Sequence, residues 1–302
     1  MAVPNGGREP TLFGEMVLEF LGSAVVALFG FGVVAQVVVS KNGLGAHDSI
    51  SWAWGFGVTF GIFVAGKVTG AHLNPAVTVA VLAFRRFPAS KVAPYIVAQV
   101  AGWFAGAAVI RFDYSAPIRA LDPHHTYTTQ GIFSTLPGNG DNALGVTIGD
   151  AFWDQVIGTA ALLFLIFAVT DPLGAAPTPA VSALAVGFIV VAIGMAIGTD
   201  SGYAINPARD FGPRLLEFLT GYDDAWTDQH GQIYFWVPIL GPVLGGLIGG
   251  GCTRRPPGEY SRGPWTEFRP CARAHRGARW WWISGSEPPP GPAGATAQRA
   301  AW

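Results

Sequence analysis

The sequence predicts an all-α membrane protein with six transmembrane helices and two re-entrant half-helices, set in two inverted repeats. Three observations carry this. Only 12% of the 302 residues are charged, while half are hydrophobic and 41 are glycine; a soluble domain carries about twice that share of charge. Two apolar pieces too short to span a membrane each open on Asn-Pro-Ala. The same order of segments then occurs twice along the chain. A mean hydropathy of +0.37 agrees with a bundle of membrane helices, where small residues let backbones approach closely.

The six spans read as Thr11–Val39, Ile50–Val68, Ala93–Ile110, Ile148–Val169, Val181–Ile197 and Ile233–Cys252, each near the ~20 residues a helix needs to cross. The short pieces are Pro75–Phe84 and Pro207–Leu219. At ~1.5 Å per residue they cover about half of the hydrocarbon core. Asn74-Pro75-Ala76 and Asn206-Pro207-Ala208 read as helix starts, because Asn is a favoured N-cap and Pro a favoured first helical residue. The approaches Gly70-Ala71-His72 and Gly202-Tyr203-Ala204 are then non-helical backbone at membrane depth. Such backbone survives only when it is buried in protein or lines a water-filled cavity.

Glu19-Phe20-Leu21-Gly22 in the first span corresponds to Gln155-Val156-Ile157-Gly158 in the fourth. Each half holds three spans and one half-helix, so the halves lie in opposite orientations. The half-helices therefore enter from opposite faces, and their N-termini meet near the midplane. The expected organisation is a cytoplasmic N-terminal segment (1–10), a channel domain (11–252, repeat halves about 11–110 and 148–252) and a disordered C-terminal tail (253–302). The tail is Arg- and Pro-rich and carries Trp280-Trp281-Trp282, a composition that builds no packed core. Arg85, Arg86 and Lys91 share a side with Arg254 and Arg255, which the positive-inside rule makes cytoplasmic, placing both termini there. Small-xxx-small pairs at Gly102/Gly106 and Gly245/Gly249 predict close helix packing, either within a subunit or between subunits.

Several function classes drop out. A net charge of −1 supplies no field for nucleic acid. Cys252 and Cys271 form neither a CxxC pair nor a His/Cys cluster, and adjacent His124 and His125 make a poor metal site, so no metal and no cofactor are expected. The spans hold no nucleophile–base constellation, so the chain does not read as an enzyme. The residues do suit a pore for uncharged molecules. Two facing helix N-termini present positive potential that repels cations. The Asn74 and Asn206 amides can donate to a passing hydroxyl, and the carbonyls of Gly70, Ala71, His72, Gly202, Tyr203 and Ala204 would form a row of acceptors. Arg209, in the first turn of the second half-helix, is costly in a membrane unless it faces water or a partner.

Two Asn-Pro-Ala motifs on half-helices within six spans resemble the aquaporin, or major intrinsic protein, family over about residues 12–252. The run from Gly202 to Asp210, with Asp210 after Arg209, is similar to the glycerol-facilitator (aquaglyceroporin) branch. The resemblance implies an aquaporin-like fold and a passive channel for glycerol, similar small polyols and water that excludes protons and ions. It implies a homotetramer with one pore per subunit, surrounded by membrane lipid in the plasma or inner membrane. It places the narrow outer filter on Trp54, Gly194, Tyr203 and Arg209, with Gly194 leaving the space that a His fills in typical water channels. Gln155 departs from the Glu that many members carry; it and Glu19 are expected to brace the carbonyl-bearing loops. Lys67 either lines the inner vestibule or snorkels to the interface. His72 is expected to be a structural loop residue. Asp154 is an intramembrane acid with no evident partner in the sequence.

Overall fold

The computed structural model describes residues 10–171 and 178–253. Among these the chain forms ten α-helices: α1 (Leu12–Val39), α2 (His47–Thr69), α3 (Pro75–Phe84), α4 (Val92–Asp113), α5 (Ser115–Leu121), α6 (Tyr127–Gln130), α7 (Ile148–Val169), α8 (Pro179–Ala196), α9 (Pro207–Leu219) and α10 (Val237–Cys252). No strand forms among the described residues; one isolated bridge joins Thr227 to Ile233. The segment 1–9, Cys271 and nearly all of the tail 253–302 lie outside the described residues, as do Arg254 and Arg255.

Local chemistry sets the helix starts. Thr11 Oγ1 accepts from the Gly14 N–H at 3.1 Å to cap α1. Thr147 and Asp150 form a reciprocal capping box on α7, satisfying donors that the first turn leaves free. Asn74 caps α3 by accepting from the Ala76 N–H, and Asn206 caps α9 by accepting from Ala208 and Arg209. Pro75 and Pro207 occupy the first turns, where no N–H is needed.

Five of the helices are long and apolar enough to cross a membrane: α1, α2, α4 with its preceding turn, α7 and α8. The sixth span is shorter than the apolar run suggests, since α10 has 16 residues and begins at Val237 rather than Ile233. The first residues of that run are used otherwise. Ile233 bridges to Thr227, and the Tyr234 and Phe235 amides both donate to the Trp226 carbonyl. Pro238 in the first turn then sets the start.

Glycine sets the packing, and it does so twice. In the first half α4 lies on α1: a Cβ at Gly102 would stand 2.3 Å from the Phe20 carbonyl oxygen, and one at Gly106 2.8 Å from that of Ala24. In the second half α10 lies on α7: Gly245 meets the Val156 carbonyl at 2.3 Å and Gly249 that of Ala160 at 2.0 Å. Both small-xxx-small pairs thus act within the subunit. The halves meet where α2 crosses α8, with Gly55 and Gly187 each 2.6 Å, by its missing Cβ, from the other's carbonyl oxygen. Large apolar side chains such as Phe13, Phe60, Phe112 and Phe188 remain on the outside, as lipid-facing helices require.

Candidate pore and filter

The two chain segments that lead into α3 and α9 share one unusual backbone. Gly70, Ala71 and Leu73 have φ of +80°, +50° and +52°, and the matching Gly202, Tyr203 and Ile205 have +65°, +37° and +43°. Four of these are non-glycine residues in a region that L side chains rarely adopt, and such strain persists only where the surroundings impose it. The imposing groups are buried polar side chains. Glu19 Oε1 accepts from the His72 N–H and Thr69 Oγ1, and its Oε2 from the Leu73 N–H at 2.7 Å and Gln99 Nε2 at 2.8 Å. Gln155 Oε1 accepts from the Ile205 N–H at 2.8 Å, while its Nε2 donates to Ser201 Oγ at 2.7 Å. Glu19 and Gln155 therefore brace the loops, and Asp154 finds its partner in the Ser201 hydroxyl.

With the N–H groups held from behind, the carbonyls are left over. Among the described residues no donor reaches the carbonyls of Gly70, Ala71, His72, Gly202, Tyr203 or Ala204. The next carbonyls along are taken: Asn74 Nδ2 donates to Ile205 at 2.8 Å, and Asn206 Nδ2 donates to Leu73 at 2.9 Å. These crossed bonds tie the half-helix N-termini end to end. A primary amide carries two N–H donors, so each Asn has one more to offer. Asn74 and Asn206 both line a cavity of about 1150 Å³.

That cavity runs from Lys67 and Arg85 at one end to Trp54, Tyr203 and Arg209 at the other, and Gly70, Ala71, His72 and Ala204 also line it. Lys67 stands in the last turn of α2 and Trp54 near its start, so α2 forms one wall for most of the length. His72 is buried, with Nδ1 3.1 Å from Thr78 Oγ1 and its ring against Phe87 and Tyr95. Pro75, Ala76, Pro207 and Ala208 sit in the half-helix starts, buried behind the lining.

At the end of the cavity away from Lys67, Arg209 is only 7% exposed. Its guanidinium carbon lies 4.5 Å from the Trp54 ring centre and 5.0 Å from that of Phe31, within cation–π range. Nη1 donates to the Phe133 carbonyl at 2.8 Å. Phe133 belongs to the loop after α6, which sequence reasoning passed over, and its neighbour Asp210 explains why that loop stays in place. Asp210 is fully buried away from the cavity; its Oδ2 accepts from the Thr135 N–H at 2.8 Å and Thr135 Oγ1 at 2.6 Å, and its Oδ1 pairs with Arg214. Arg214 in turn donates to the carbonyls of Thr135 and Ala225. Asp210 thus anchors the loop that Arg209 leans on.

Beyond that loop, Tyr222 shares a 2.8 Å hydrogen bond with Thr129 Oγ1 and stacks on His125, whose Nε2 accepts from Arg111 Nη2 at 3.0 Å. Burial pushes the Tyr222 phenol up to about 12, so it stays neutral in this contact. No cluster that could hold a metal occurs among the described residues.

One expectation changes. The space expected to stand free beside Gly194 is occupied: a Cβ there would lie 2.8 Å from Tyr203 Cζ and 2.8 Å from Ser51 Oγ. Gly194 is therefore the seat of the Tyr203 ring, and it does not line the cavity directly.

The chain is 40% identical over 244 residues to Aquaglyceroporin-2 of Rhizophagus irregularis, covering 79% of this chain and 75% of that protein. It is 38% identical over 251 residues to a glycerol uptake facilitator protein of Pseudomonas aeruginosa, covering 80% and 88%. Among solved structures, the aquaglyceroporin from Plasmodium falciparum superposes with a TM-score of 0.71 at 29% identity, over 80% of this chain and 95% of that one. The sequence profile described as Major intrinsic protein matches residues 7–252, and the chain belongs to that family.

Proposed function

We propose that this protein is a passive channel, not an enzyme, which lets glycerol and similar small polyols cross a cell membrane together with water. The observation that carries the reading is the pairing of surfaces along one cavity. Gly70, Ala71, His72, Tyr203 and Ala204, whose carbonyls have no donor among the described residues, line an acceptor face, and Trp54 and Tyr203 form an apolar face beside the Arg209 donors. A polyol has a carbon edge and a hydroxyl edge, and each finds its counterpart. Its hydroxyls exchange partners from one carbonyl to the next without losing all hydrogen bonds at once, which keeps desolvation small. The relatives named as aquaglyceroporins and as a glycerol uptake facilitator support this substrate class.

Asn74 and Asn206 supply the donors at the midplane, and Trp54, Tyr203 and Arg209 form the outer filter, with Gly194 seating one wall. Protons and ions are excluded by the two facing helix N-termini and by Arg209. The chain spans the plasma or inner membrane several times with both termini cytoplasmic, a placement supported by Arg85, Arg86 and Lys91 on one side. A homotetramer with one pore per subunit is the assembly that membership of this family supports.

Stopped-flow light scattering on proteoliposomes tests the reading. Glycerol gradients should relax far faster than in empty liposomes, with no dependence on an ion gradient, and sucrose should not pass. Water flow without glycerol flux would replace the polyol channel with a water-selective one.

A further inference from the structure

The outer filter has a residue behind it that lines no part of the cavity. His47 opens α2, and its Nε2 lies 2.7 Å from the Gly194 carbonyl in the last turn of α8. A carbonyl can only accept, so Nε2 carries the hydrogen. The last carbonyls of a helix lack partners within it, and among the described residues no backbone N–H takes that of Gly194. His47 therefore caps α8 from a different helix, at the residue that seats Tyr203.

The same imidazole touches the seated ring. It stands edge-on to Tyr203, with ring centres 6.3 Å apart and planes at 82°. Gly198 leaves room for it, since a Cβ there would fall 2.8 Å from His47 Cε1. Ser51 completes the group. Its Oγ donates back to the His47 carbonyl at 3.0 Å and abuts the Gly194 position. Tyr203 itself has φ of +37°, a backbone conformation that persists only where the surroundings impose it.

We propose that His47 is a positioning residue of the filter: its bond to Gly194 and its edge contact with Tyr203 fix where that ring stands and so set the largest solute that passes. This rests on the reading of Tyr203 as a filter wall. Without the imidazole, α2 and α8 lose their tie at the outer rim, and Tyr203 loses one of the two groups behind it. The ring then gains room to swing, and discrimination between glycerol and longer polyols relaxes.

The test compares wild type, His47→Ala, His47→Asn and His47→Gln in proteoliposomes, reading erythritol and xylitol permeability as ratios to glycerol. Ratios cancel the number of folded pores, so a merely structural loss does not move them. In His47→Ala and His47→Asn the ratios should rise by about threefold or more, the scale of one lost hydrogen bond. His47→Gln places an amide nitrogen where Nε2 stands and should keep the ratios near wild type. If either His47→Ala or His47→Asn assembles and conducts with unchanged ratios, or if His47→Gln shifts as far as His47→Ala, the proposal is overturned. A wild type without glycerol flux would instead overturn the functional reading beneath it.

Discussion

Gln155 stands in the second half where Glu19 stands in the first, and it donates a hydrogen bond where Glu19 can only accept one. In the first half the Thr69 hydroxyl gives its hydrogen to Glu19 Oε1 at 2.6 Å. In the second half the matching hydroxyl, Ser201, receives one from Gln155 Nε2 and passes its own hydrogen to Asp154. The carboxylate has moved by one residue along α7, and the hydroxyl between has reversed its direction. Both arrangements end with the same loop N–H held, Leu73 in one half and Ile205 in the other.

That relay makes a first prediction. Gln155→Glu puts two carboxylates around a single hydroxyl hydrogen and leaves the Ser201 carbonyl without its donor, which should destabilise the protein by about 1–3 kcal/mol. Adding Asp154→Asn removes the excess acid, so the double variant should recover most of the loss. Thermal unfolding in detergent over the four-member cycle measures this. Additive effects of the two changes would show that the pair is not coupled.

Helix packing supplies a second prediction. Gly249 offers no room, because the atom that a Cβ would meet is the Ala160 backbone oxygen at 2.0 Å, and backbone cannot step aside. Gly249→Val should cost about 3 kcal/mol or more, at the top of the usual range for overpacked cores, or prevent assembly. Gly131 has open space around it and a helical φ of −58°, so Gly131→Ala should change stability by no more than about 1 kcal/mol. Size-exclusion profiles and melting temperatures of the two variants give the comparison.

The fold was legible because membrane helices are written in long apolar runs, and the Asn-Pro pairs mark helix starts by local chemistry alone. Boundaries failed where tertiary contacts outbid the apolar signal, as at Ile233, which pairs with Thr227 instead of joining α10. The cavity lining was legible at Asn74, Asn206, Trp54, Tyr203 and Arg209. What held them was not. Phe133 reads as an ordinary loop aromatic, yet its carbonyl takes the Arg209 hydrogen bond across 76 positions of sequence. His47 reads as a polar helix start, and its partner is 147 positions away. Such contacts belong to the assembled bundle, and no periodicity or spacing announces them. Gly194 shows the same limit: its missing side chain suggested space, and only packing reveals that Tyr203 fills it.

Arg209 carries a third prediction. Its charge stands among aromatic rings with a carbonyl partner, so replacing it leaves a neutral gap at that end of the cavity. Arg209→Val should keep water flow and let an imposed pH gradient collapse faster in vesicles, read with a trapped pH-sensitive dye. An unchanged gradient would mean that the two helix N-termini are barrier enough.

The last prediction turns on the seat of Tyr203. At Gly194 an added methyl group meets Tyr203 Cζ and Ser51 Oγ at 2.8 Å, closer than real contacts allow. Behind the ring stand Ser51 and His47, each held by a hydrogen bond, so the free direction is toward the channel. Gly194→Ala should therefore push the ring inward and narrow the opening. Glycerol needs the wider passage, and its flux should fall about tenfold or more, an added barrier of at least ~1.4 kcal/mol. Water flow should fall much less. Removing the ring as well, in Gly194→Ala with Tyr203→Ala, relieves the clash and should bring glycerol flux back. If Gly194→Ala alone conducts glycerol and water as the wild type does, the ring yields backward, and Gly194 does not set the aperture.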